Sequence, residues 1–271
     1  MKILFVGGGN MASAMIGGLL ARGESASEIG VVELHAEARQ VLATRYGVSV
    51  FAEVTEAATS AQAIVLAVKP QQLQGVAKAL RGSLASQLIV SIAAGIRLDD
   101  LSRWLGGYQK LVRAMPNTPA LVRSGVTGLY ALPAVDPAAR QLTEDLMSAI
   151  GSWFWVSAEA MMDSVTAVSG SGPAYVFYFM EALESGALQS GFDASSARQM
   201  ALDTVLGAAR LAADGGEPFA LLRQRVTSKG GTTEAALNAM SASAVAEGIV
   251  TGMRAAEARG RELGEQLGRD A

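Results

Sequence analysis

The sequence predicts an α/β protein with a doubly wound, mainly parallel sheet, followed by an all-α domain. In the first half of the chain, short apolar runs alternate with helical segments, as in parallel strands that are buried on both faces. The first apolar run leads directly into a glycine-rich turn. From residue 158 onward almost every segment has a helical pattern. Together these observations favour two domains, which we place at residues 1–157 and 158–271.

The strands of the first domain are predicted from apolar runs that are bounded by polar or turn residues. Helices are predicted between them, at Met11–Arg22 and Ala36–Tyr46. Two later candidates, Gly125–Tyr130 and Ser152–Val156, flank a helix near Pro137–Ile150 and would be added antiparallel at the edge of the sheet. The six runs are Ile3–Val6, Ile29–Leu34, Val48–Phe51, Ala63–Val68, Leu88–Ala93 and Lys110–Met115.

The second domain is predicted to be helical and to pair with another copy. Its helix Pro173–Gln189 contains the run Tyr175–Met180, which is apolar on several faces and therefore needs burial on several sides. Two interlocked chains would provide that burial, so we expect a homodimerisation domain; a two-layer monomer is the alternative. The other predicted helices are Glu159–Val168, Ser195–Ala213, Pro218–Val226, Glu234–Met240 and Ala244–Leu267.

Composition excludes several classes of function. The 271 residues contain no cysteine, which removes thiol chemistry and fits a reducing cytoplasm. His35 is the single histidine and no metal-ligand spacing occurs, so we expect neither a histidine triad nor a metal site. A net charge of −3 gives no positive electrostatic field that would attract nucleic acid. No apolar run of the sequence indicates a leader peptide or a membrane span. We expect a soluble cytoplasmic protein whose cofactor carries the difficult chemistry.

The glycine turn predicts a dinucleotide site. In FVGGGNMASA the pattern is Gly7-x-Gly9-x-x-Ala12, directly after a strand and directly before a helix. Gly7 permits the turn, Gly9 lets a pyrophosphate approach the backbone, and Ala12 lets the helix pack closely, as in a Rossmann domain. A tight strand-to-helix turn without a ligand would also favour glycine. The position of the turn at the first crossover of a repeated pattern favours the dinucleotide.

The residues after the second strand leave the choice of dinucleotide open. Glu33 lies where an acid usually accepts hydrogen bonds from the ribose 2′-hydroxyl of NAD, and it would repel the 2′-phosphate of NADP. His35 and Arg39 follow closely and would contact that phosphate, unless both are solvated surface residues. The sequence therefore predicts NADPH or NADH.

Three later strand ends predict a nicotinamide pocket. They are the segments VKP, SIAAG and RAMPNTPA. These segments are candidates because ligands of open α/β sheets bind outside the carboxyl ends of the strands. Each segment alone is explained by turn chemistry. Ala93 and Ala94 would leave room for the ring, and Asn117 would hydrogen-bond its amide or the substrate.

Two glycine-rich segments in the helical domain, SGSGPAY and TSKGGTTEAAL, each precede a helix. As caps, Ser171 or Thr232 would satisfy helix amides. The consecutive amides of KGGTT would instead attract a carboxylate. A nicotinamide pocket and a carboxylate pocket imply hydride transfer to a small acid. Because no histidine supplies a proton, an imine is favoured over a carbonyl, with Thr233 or Ser228 orienting its nitrogen.

The motifs FVGGGNMA, AVKPQ, SIAAGI, RAMPNTPA, VSGSGPAYVF and TSKGGTT occur in the order and spacing of the pyrroline-5-carboxylate reductases. The chain resembles this family over essentially its whole length. The resemblance implies reduction of 1-pyrroline-5-carboxylate to L-proline with a hydride from NAD(P)H, the last step of proline biosynthesis. It also implies a Rossmann domain and a helical domain that interlocks two subunits, in dimers that commonly assemble into decamers.

The resemblance also implies roles for individual residues. The amides around Gly230, Gly231 and Thr232 would hold the substrate carboxylate, while Thr233 would hydrogen-bond the ring nitrogen and Ser228 would support the loop. The cofactor would be held by Gly7, Gly9, Asn10 and Met11 at the pyrophosphate and by Val68, Lys69, Pro70, Ala93 and Ala94 at the nicotinamide side, with Met115 and Asn117 bordering the reacting ring.

Two positions depart from the family pattern. Lys229 stands where many relatives have proline, and Glu33 stands where NADPH-preferring relatives have small polar or basic residues. Two other functions stay open. One is a reductase for another cyclic imine or a small keto acid, and the other is a regulatory dimer that senses nicotinamide cofactor without turnover.

Overall fold

The sheet of the computed structural model confirms the predicted α/β class. The model describes residues 2–269, apart from the side chains of residues 55 and 56, so Met1 and residues 270–271 of the predicted domains lie outside the described part. Within that part, eight strands form one sheet in the order β3-β2-β1-β4-β5-β6-β7-β8. The strands are β1 Ile3–Val6, β2 Ile29–Val32, β3 Ser49–Phe51, β4 Ala63–Leu66, β5 Leu88–Ser91, β6 Leu111–Met115, β7 Gly125–Ala131 and β8 Gly151–Trp155.

Strand direction divides the sheet into two parts. The first six strands are parallel to one another. β7 pairs antiparallel with β6, and β8 pairs parallel with β7, so the last two strands run opposite to the first six. The predicted antiparallel addition at the sheet edge is therefore confirmed.

The apolar runs form strands because both of their faces are covered. Every residue of β1, β4 and β5 is buried. Alternate side chains enter two hydrophobic clusters, for example Phe5 with Ile16 on one face and Leu4 with Leu73 on the other. The covering helices are α1 Asn10–Ala21, α2 Ala36–Tyr46, α3 Thr55–Ala58, α4 Pro70–Leu80, α5 Leu98–Trp104 and α6 Pro137–Ser148.

The chain divides into two compact units. The residues up to Ser171 and those from Ala256 onward form the first, which we call the sheet unit; Gly172–Ala255 form the second, the helical unit. The domain boundary predicted at residues 157 and 158 stays a prediction. The later helices are α7 Met161–Val165, α8 Gly172–Gln189, α9 Ala194–Gly215, α10 Phe219–Arg225, α11 Thr232–Ala242 and α12 Val245–Leu267.

The segment predicted as one helix over Glu159–Val168 contains two kinds of helix. α7 ends at Val165 and continues as a π-helical turn over Thr166–Gly170. The Ser171 amide donates a hydrogen bond to the Thr166 carbonyl at 2.8 Å, which is the i to i+5 spacing of a π turn. Hydrophobic periodicity alone did not indicate this change of hydrogen-bond register.

A buried arginine fixes α7 to the sheet. Arg113 of β6 is 3% exposed, and its guanidinium lies 3.2 Å from Glu159 Oε1 and 3.6 Å from Asp163 Oδ1. Glu159 Oε1 also accepts a hydrogen bond from the Leu98 amide at 2.7 Å. A buried cation with two carboxylate partners avoids the penalty of an unpaired charge, so the cluster holds β6, α5 and α7 together.

Among residues 2–269, no helix is long and apolar enough to span a lipid bilayer.

Candidate active site

The turn between β1 and α1 leaves its backbone open to a ligand. Gly7 has a φ of +102°, and a Cβ there would lie 2.8 Å from the carbonyl oxygen of Ala67. A Cβ on Gly9, which directly precedes α1, would meet no atom within 4 Å. The first amides of a helix lack partners within it and favour negative charge. Gly7 is therefore required by the fold, whereas the space over Gly9 suits a phosphate.

A groove of about 550 Å³ starts at this turn and passes the carboxyl ends of β1, β2 and β4. Asn10 lines a separate polar pocket, and Met11 is partly buried against the core. Pro70 is the first residue of α4. The structure brings six of the predicted cofactor residues together in the groove, namely Gly7, Gly9, Glu33, His35, Val68 and Lys69.

The Glu33 carboxylate is fixed at the wall of this groove. It accepts hydrogen bonds from the amides of Gly8 at 3.1 Å and His35 at 3.0 Å. Arg39 Nη1 donates to the carbonyl oxygens of Glu33 at 2.7 Å and Leu34 at 2.8 Å, so the protein's own turn engages this guanidinium. A negative charge at the end of β2 suits a ribose hydroxyl and disfavours a ribose phosphate.

The other predicted nicotinamide residues, Ala93, Ala94 and Met115, lie at or just after the ends of β5 and β6. Ala93 is buried in the core, and Ala94 beside it is exposed. Met115, the last residue of β6, is half-buried. Because the carboxyl ends of parallel strands meet at one edge of a sheet, these residues share that edge with the glycine turn.

Asn117 is engaged by protein groups on two sides. Its Oδ1 accepts a hydrogen bond from the Val126 amide at 2.9 Å, and its Nδ2 donates to the Ser169 carbonyl at 3.0 Å. Asn117 is also buried. The predicted direct contact with substrate stays a prediction, and the structure adds a second role for the side chain.

The predicted substrate residues lie in the helical unit, in the loop between α10 and α11. Gly230 has a φ of +74°, which a residue with a side chain rarely adopts. Gly231 directly precedes α11, and its amide donates to the Ser228 carbonyl at 3.0 Å. Thr232 and Thr233 are the first two residues of the helix, so their amides have no intrahelical partner. Those two amides are donors that this end of the loop can offer to an anion.

Sequence reasoning missed the partner of the Gly230 amide. Glu234, in the first turn of α11, accepts a hydrogen bond from that amide through Oε2 at 2.7 Å. A glutamate three residues after the N-cap commonly reaches back to a backbone amide at the helix start, here that of the residue before the N-cap, so the TTE spacing was the available signal. Of the predicted carboxylate donors, Gly230 and Gly231 are therefore used by the loop itself.

Comparison with known proteins extends over the whole chain. Residues 159–263 match the family model described as pyrroline-5-carboxylate reductase dimerisation. Residues 2–95 match the model described as NADP oxidoreductase, coenzyme F420-dependent. The pyrroline-5-carboxylate reductase of Pseudomonas aeruginosa is 44% identical over 268 residues, which cover 98% of this chain and 98% of the relative.

Two solved structures share the fold. A pyrroline-5-carboxylate reductase from Coxiella burnetii superposes with a TM-score of 0.93 at 39% identity, covering 97% of this chain and 98% of the other. The Plasmodium falciparum pyrroline carboxylate reductase, solved with NADP bound, gives a TM-score of 0.86 at 25% identity with the same coverage.

The glycine turn, the groove at the carboxyl edge and the NADP oxidoreductase match define an oxidoreductase that uses a nicotinamide dinucleotide. The similarity continues through the helical half, where both the dimerisation model and the full-length relatives match. The chain belongs to the pyrroline-5-carboxylate reductase family. The predicted fold class, NAD(P)H dependence and family resemblance are confirmed, while the roles of individual site residues stay predictions.

Proposed function

We propose that this protein reduces 1-pyrroline-5-carboxylate to L-proline, the last step of proline biosynthesis, with a hydride from NAD(P)H. One observation carries the proposal: similarity to pyrroline-5-carboxylate reductases at 44% identity runs through both the dinucleotide turn and the TSKGGTT loop. A protein that only sensed cofactor would not need the second segment.

The groove residues fit a nicotinamide dinucleotide. The open space over Gly9 and the free start of α1 suit a pyrophosphate, and the Glu33 carboxylate suits a ribose hydroxyl. Asn10 and Met11 would complete the pyrophosphate contacts. Bound NAD(P)H supplies the hydride that the imine carbon accepts. The nicotinamide side would be formed by Val68, Lys69, Pro70, Ala93, Ala94 and Met115.

The loop before α11 would hold the substrate carboxylate. The amides of Thr232 and Thr233 begin an eleven-residue helix, whose dipole favours a negative charge at this end. Gly230 and Gly231 would shape the loop, because their amides already bond Glu234 and Ser228. The carboxylate would then fix the ring relative to the loop.

Thr233 would orient the imine. Its hydroxyl would hydrogen-bond the ring nitrogen, and Ser228 would support the loop that positions it. The nitrogen takes its proton from water, so the reaction needs no histidine or other strong side-chain acid at this point.

The helical unit would form a homodimer. Many of its large apolar side chains are exposed within one chain, and the family model that it matches describes dimerisation. We extend the proposal to decamers assembled from such dimers in the cytoplasm, as predicted from the family resemblance and the absence of cysteine.

The reaction is tested by mixing purified protein with 1-pyrroline-5-carboxylate and either NADH or NADPH. We expect cofactor oxidation that depends on the substrate, with one proline formed for each cofactor oxidised. Failure to oxidise both cofactors would contradict the proposal. Turnover of another cyclic imine or a keto acid in its place would assign the protein to a different substrate.

The role of Thr233 is tested by Thr233→Val, with Thr232→Val as the matched control. Loss of one hydrogen bond to the imine nitrogen should lower kcat/KM by a factor that corresponds to about 1–3 kcal/mol of lost transition-state stabilisation. The affinity for the cofactor should be nearly unchanged. Thr232→Val keeps the backbone amide and should have little effect. Equal kcat/KM values in Thr233→Val and the wild type would remove Thr233 from the mechanism.

A further inference from the structure

Asn117 connects the end of β6 to two other parts of the sheet unit. It is 8% exposed. Its side chain accepts a hydrogen bond from the backbone amide of Val126 at the start of β7 and donates one to the backbone carbonyl of Ser169 inside the π turn. Both bonds have good length, and their partners lie 9 and 52 residues away along the chain. The side chain therefore fixes the π turn to the strand end.

The π turn is also bonded back to α7 through two of its side chains. Thr166 Oγ1 donates to the Met162 carbonyl at 2.9 Å, and Ser169 Oγ donates to the Val165 carbonyl at 2.9 Å. The carbonyl of Ser169 is the group that accepts from Asn117. Single π turns inserted in helices occur frequently at functional sites, because they redirect backbone groups that an α-helix would use internally.

The last residue of the turn lies against Met115. A Cβ on Gly170 would be 2.9 Å from Met115 Cε, closer than ordinary van der Waals contact. Glycine at this position thus lets the turn pack on the methionine that ends β6. A displacement of the turn would move Met115.

We propose that Asn117 and the π turn Thr166–Gly170 act as one unit that sets the position of Met115, and through it the bound nicotinamide ring. Asn117 is then a positioning residue, in addition to any contact that it makes with substrate. The inference rests on the proposed function, in which Met115 borders the ring.

The first test is Gly170→Ala. The added methyl would crowd only the far end of the flexible Met115 side chain, since Thr166 Cγ2 at 3.6 Å is in ordinary van der Waals contact, so the protein should fold with a melting temperature close to that of the wild type. Displacement of Met115 should lower kcat by about tenfold or more, because small errors in ring position strongly reduce turnover. Gly75→Ala in α4, where a Cβ meets no atom within 4 Å, is the matched control and should behave as the wild type.

A second readout does not require turnover. The fluorescence of bound NAD(P)H reports the surroundings of the nicotinamide ring, and titration of this signal gives the cofactor affinity. In Gly170→Ala we expect a changed emission from bound cofactor with an affinity within about twofold of the wild type, since the pyrophosphate turn is untouched.

The second test is Asn117→Asp, followed over pH. An ionised aspartate accepts from Val126 but cannot donate to the Ser169 carbonyl, so kcat should fall about tenfold at neutral pH. Burial raises the pKa of such a carboxyl, and the protonated form donates again, so the ratio of variant to wild-type kcat should rise as the pH falls. The two bonded partners, Val126 and Ser169, have no ionisable side chain, and Arg113 of the preceding strand β6 is paired with Glu159 and Asp163.

Gln87→Glu is the matched control for this substitution. Gln87 also has a buried side-chain amide that donates to a backbone carbonyl, that of Ala58. It directly precedes β5 and so lies at the amino ends of the strands, away from the cofactor groove at their carboxyl ends. Its carboxylate variant should lose stability without a change in kcat or in the emission of bound cofactor.

The outcomes separate the two proposals. Wild-type protein that does not reduce 1-pyrroline-5-carboxylate contradicts the proposed function, and the changed emission of Gly170→Ala still supports the inference. Gly170→Ala with wild-type emission overturns the inference, as does Gly170→Ala with wild-type kcat in an active enzyme. A pH-independent kcat ratio in Asn117→Asp, or a kcat loss matched by Gln87→Glu, also overturns it. If Asn117→Asp does not fold, Gly170→Ala decides alone.

Discussion

The sheet unit and the helical unit bury their apolar residues in different ways. In the sheet unit, whole strands such as β1, β4 and β5 are buried between helices of the same unit. Within Gly172–Ala255, the buried apolar residues are Ala197 and Ala201. Large side chains there remain exposed, among them Phe177 at 58%, Tyr178 at 76% and Phe219 at 79%.

The difference indicates where each unit obtains its stability. The sheet unit has two hydrophobic clusters of its own. Helices without a core must bury their apolar faces against another surface, and a symmetric second copy supplies a matching one. The stability of the sheet unit should therefore depend on its own core residues. The stability of the helical unit should depend on the association of two chains.

Phe177→Glu gives the largest expected effect. In a two-fold interface the substitution occurs twice, so the loss of buried area would weaken the dimer by roughly 3–6 kcal/mol, before the cost of a buried charge. Light scattering should then detect dissociation at concentrations where the wild type is associated. Val41→Glu, at an exposed position of α2 in the sheet unit, is the control and should leave the molar mass unchanged. An unchanged mass for Phe177→Glu would place the interface elsewhere.

Phe5→Ala tests the other unit. Phe5 is fully buried in β1, and its removal should cost about 3–5 kcal/mol through lost contacts and a cavity. Denaturant unfolding measures this loss. Because the lost contacts lie within one chain, the change in melting temperature should be the same at every protein concentration. A loss that grows on dilution would show that the two units are not independent in this respect.

Glu33→Gln should change cofactor choice, with a small loss of stability because the glutamine amide has one acceptor oxygen for the Gly8 and His35 amides that the carboxylate now holds. Removing the negative charge at the end of β2 should raise the ratio of NADPH to NADH use by roughly tenfold, because repulsion of the ribose phosphate is removed. The ratio of kcat/KM values for the two cofactors measures this. Glu37→Gln, in the first turn of α2, should leave the ratio unchanged. Equal ratios in all three proteins would mean that Glu33 does not contact the ribose.

The smallest effect is expected from the helix caps, of which each unit has an aspartate example. Asp136 accepts from the Ala139 amide, and Asp193 accepts from the Ser195 and Ser196 amides. These backbone hydrogen bonds hold the pKa of both carboxyls below the ordinary value of 3.8. The stability that they contribute is present above that value and is lost as the pH falls through the lowered pKa.

Asp136→Ala and Asp193→Ala should therefore each lower the melting temperature slightly at neutral pH. The difference from the wild type should disappear in acid. A difference that persists at low pH would mean that the caps act through something other than their charge.

The sequence predicted most of the sheet because its strands are local apolar runs. Ile3–Val6 forms β1 with the predicted bounds. The run Ala63–Val68 extends two residues beyond β4, since Ala67 and Val68 leave the strand to line the groove. Strand ends at a ligand edge keep an apolar composition, so periodicity alone does not locate the last paired residue.

The features that were missed depend on long-range partners. The π turn at Thr166–Gly170 is bonded by Asn117, which is distant in sequence. Arg113 was part of a predicted strand without a role, and its burial depends on Glu159 and Asp163. The exception is local: in the candidate site, the glycine and threonine types indicated a turn and an anion, but the bond from the Gly230 amide to Glu234, four residues later, was missed although the spacing could have indicated it.

The molar mass of the wild-type protein during dilution tests the contrast between the two units most directly. We predict a mass of at least twice the 28.0 kDa of one chain, and a melting temperature that decreases as the protein is diluted. A mass of 28.0 kDa with a melting temperature that does not depend on concentration would contradict it.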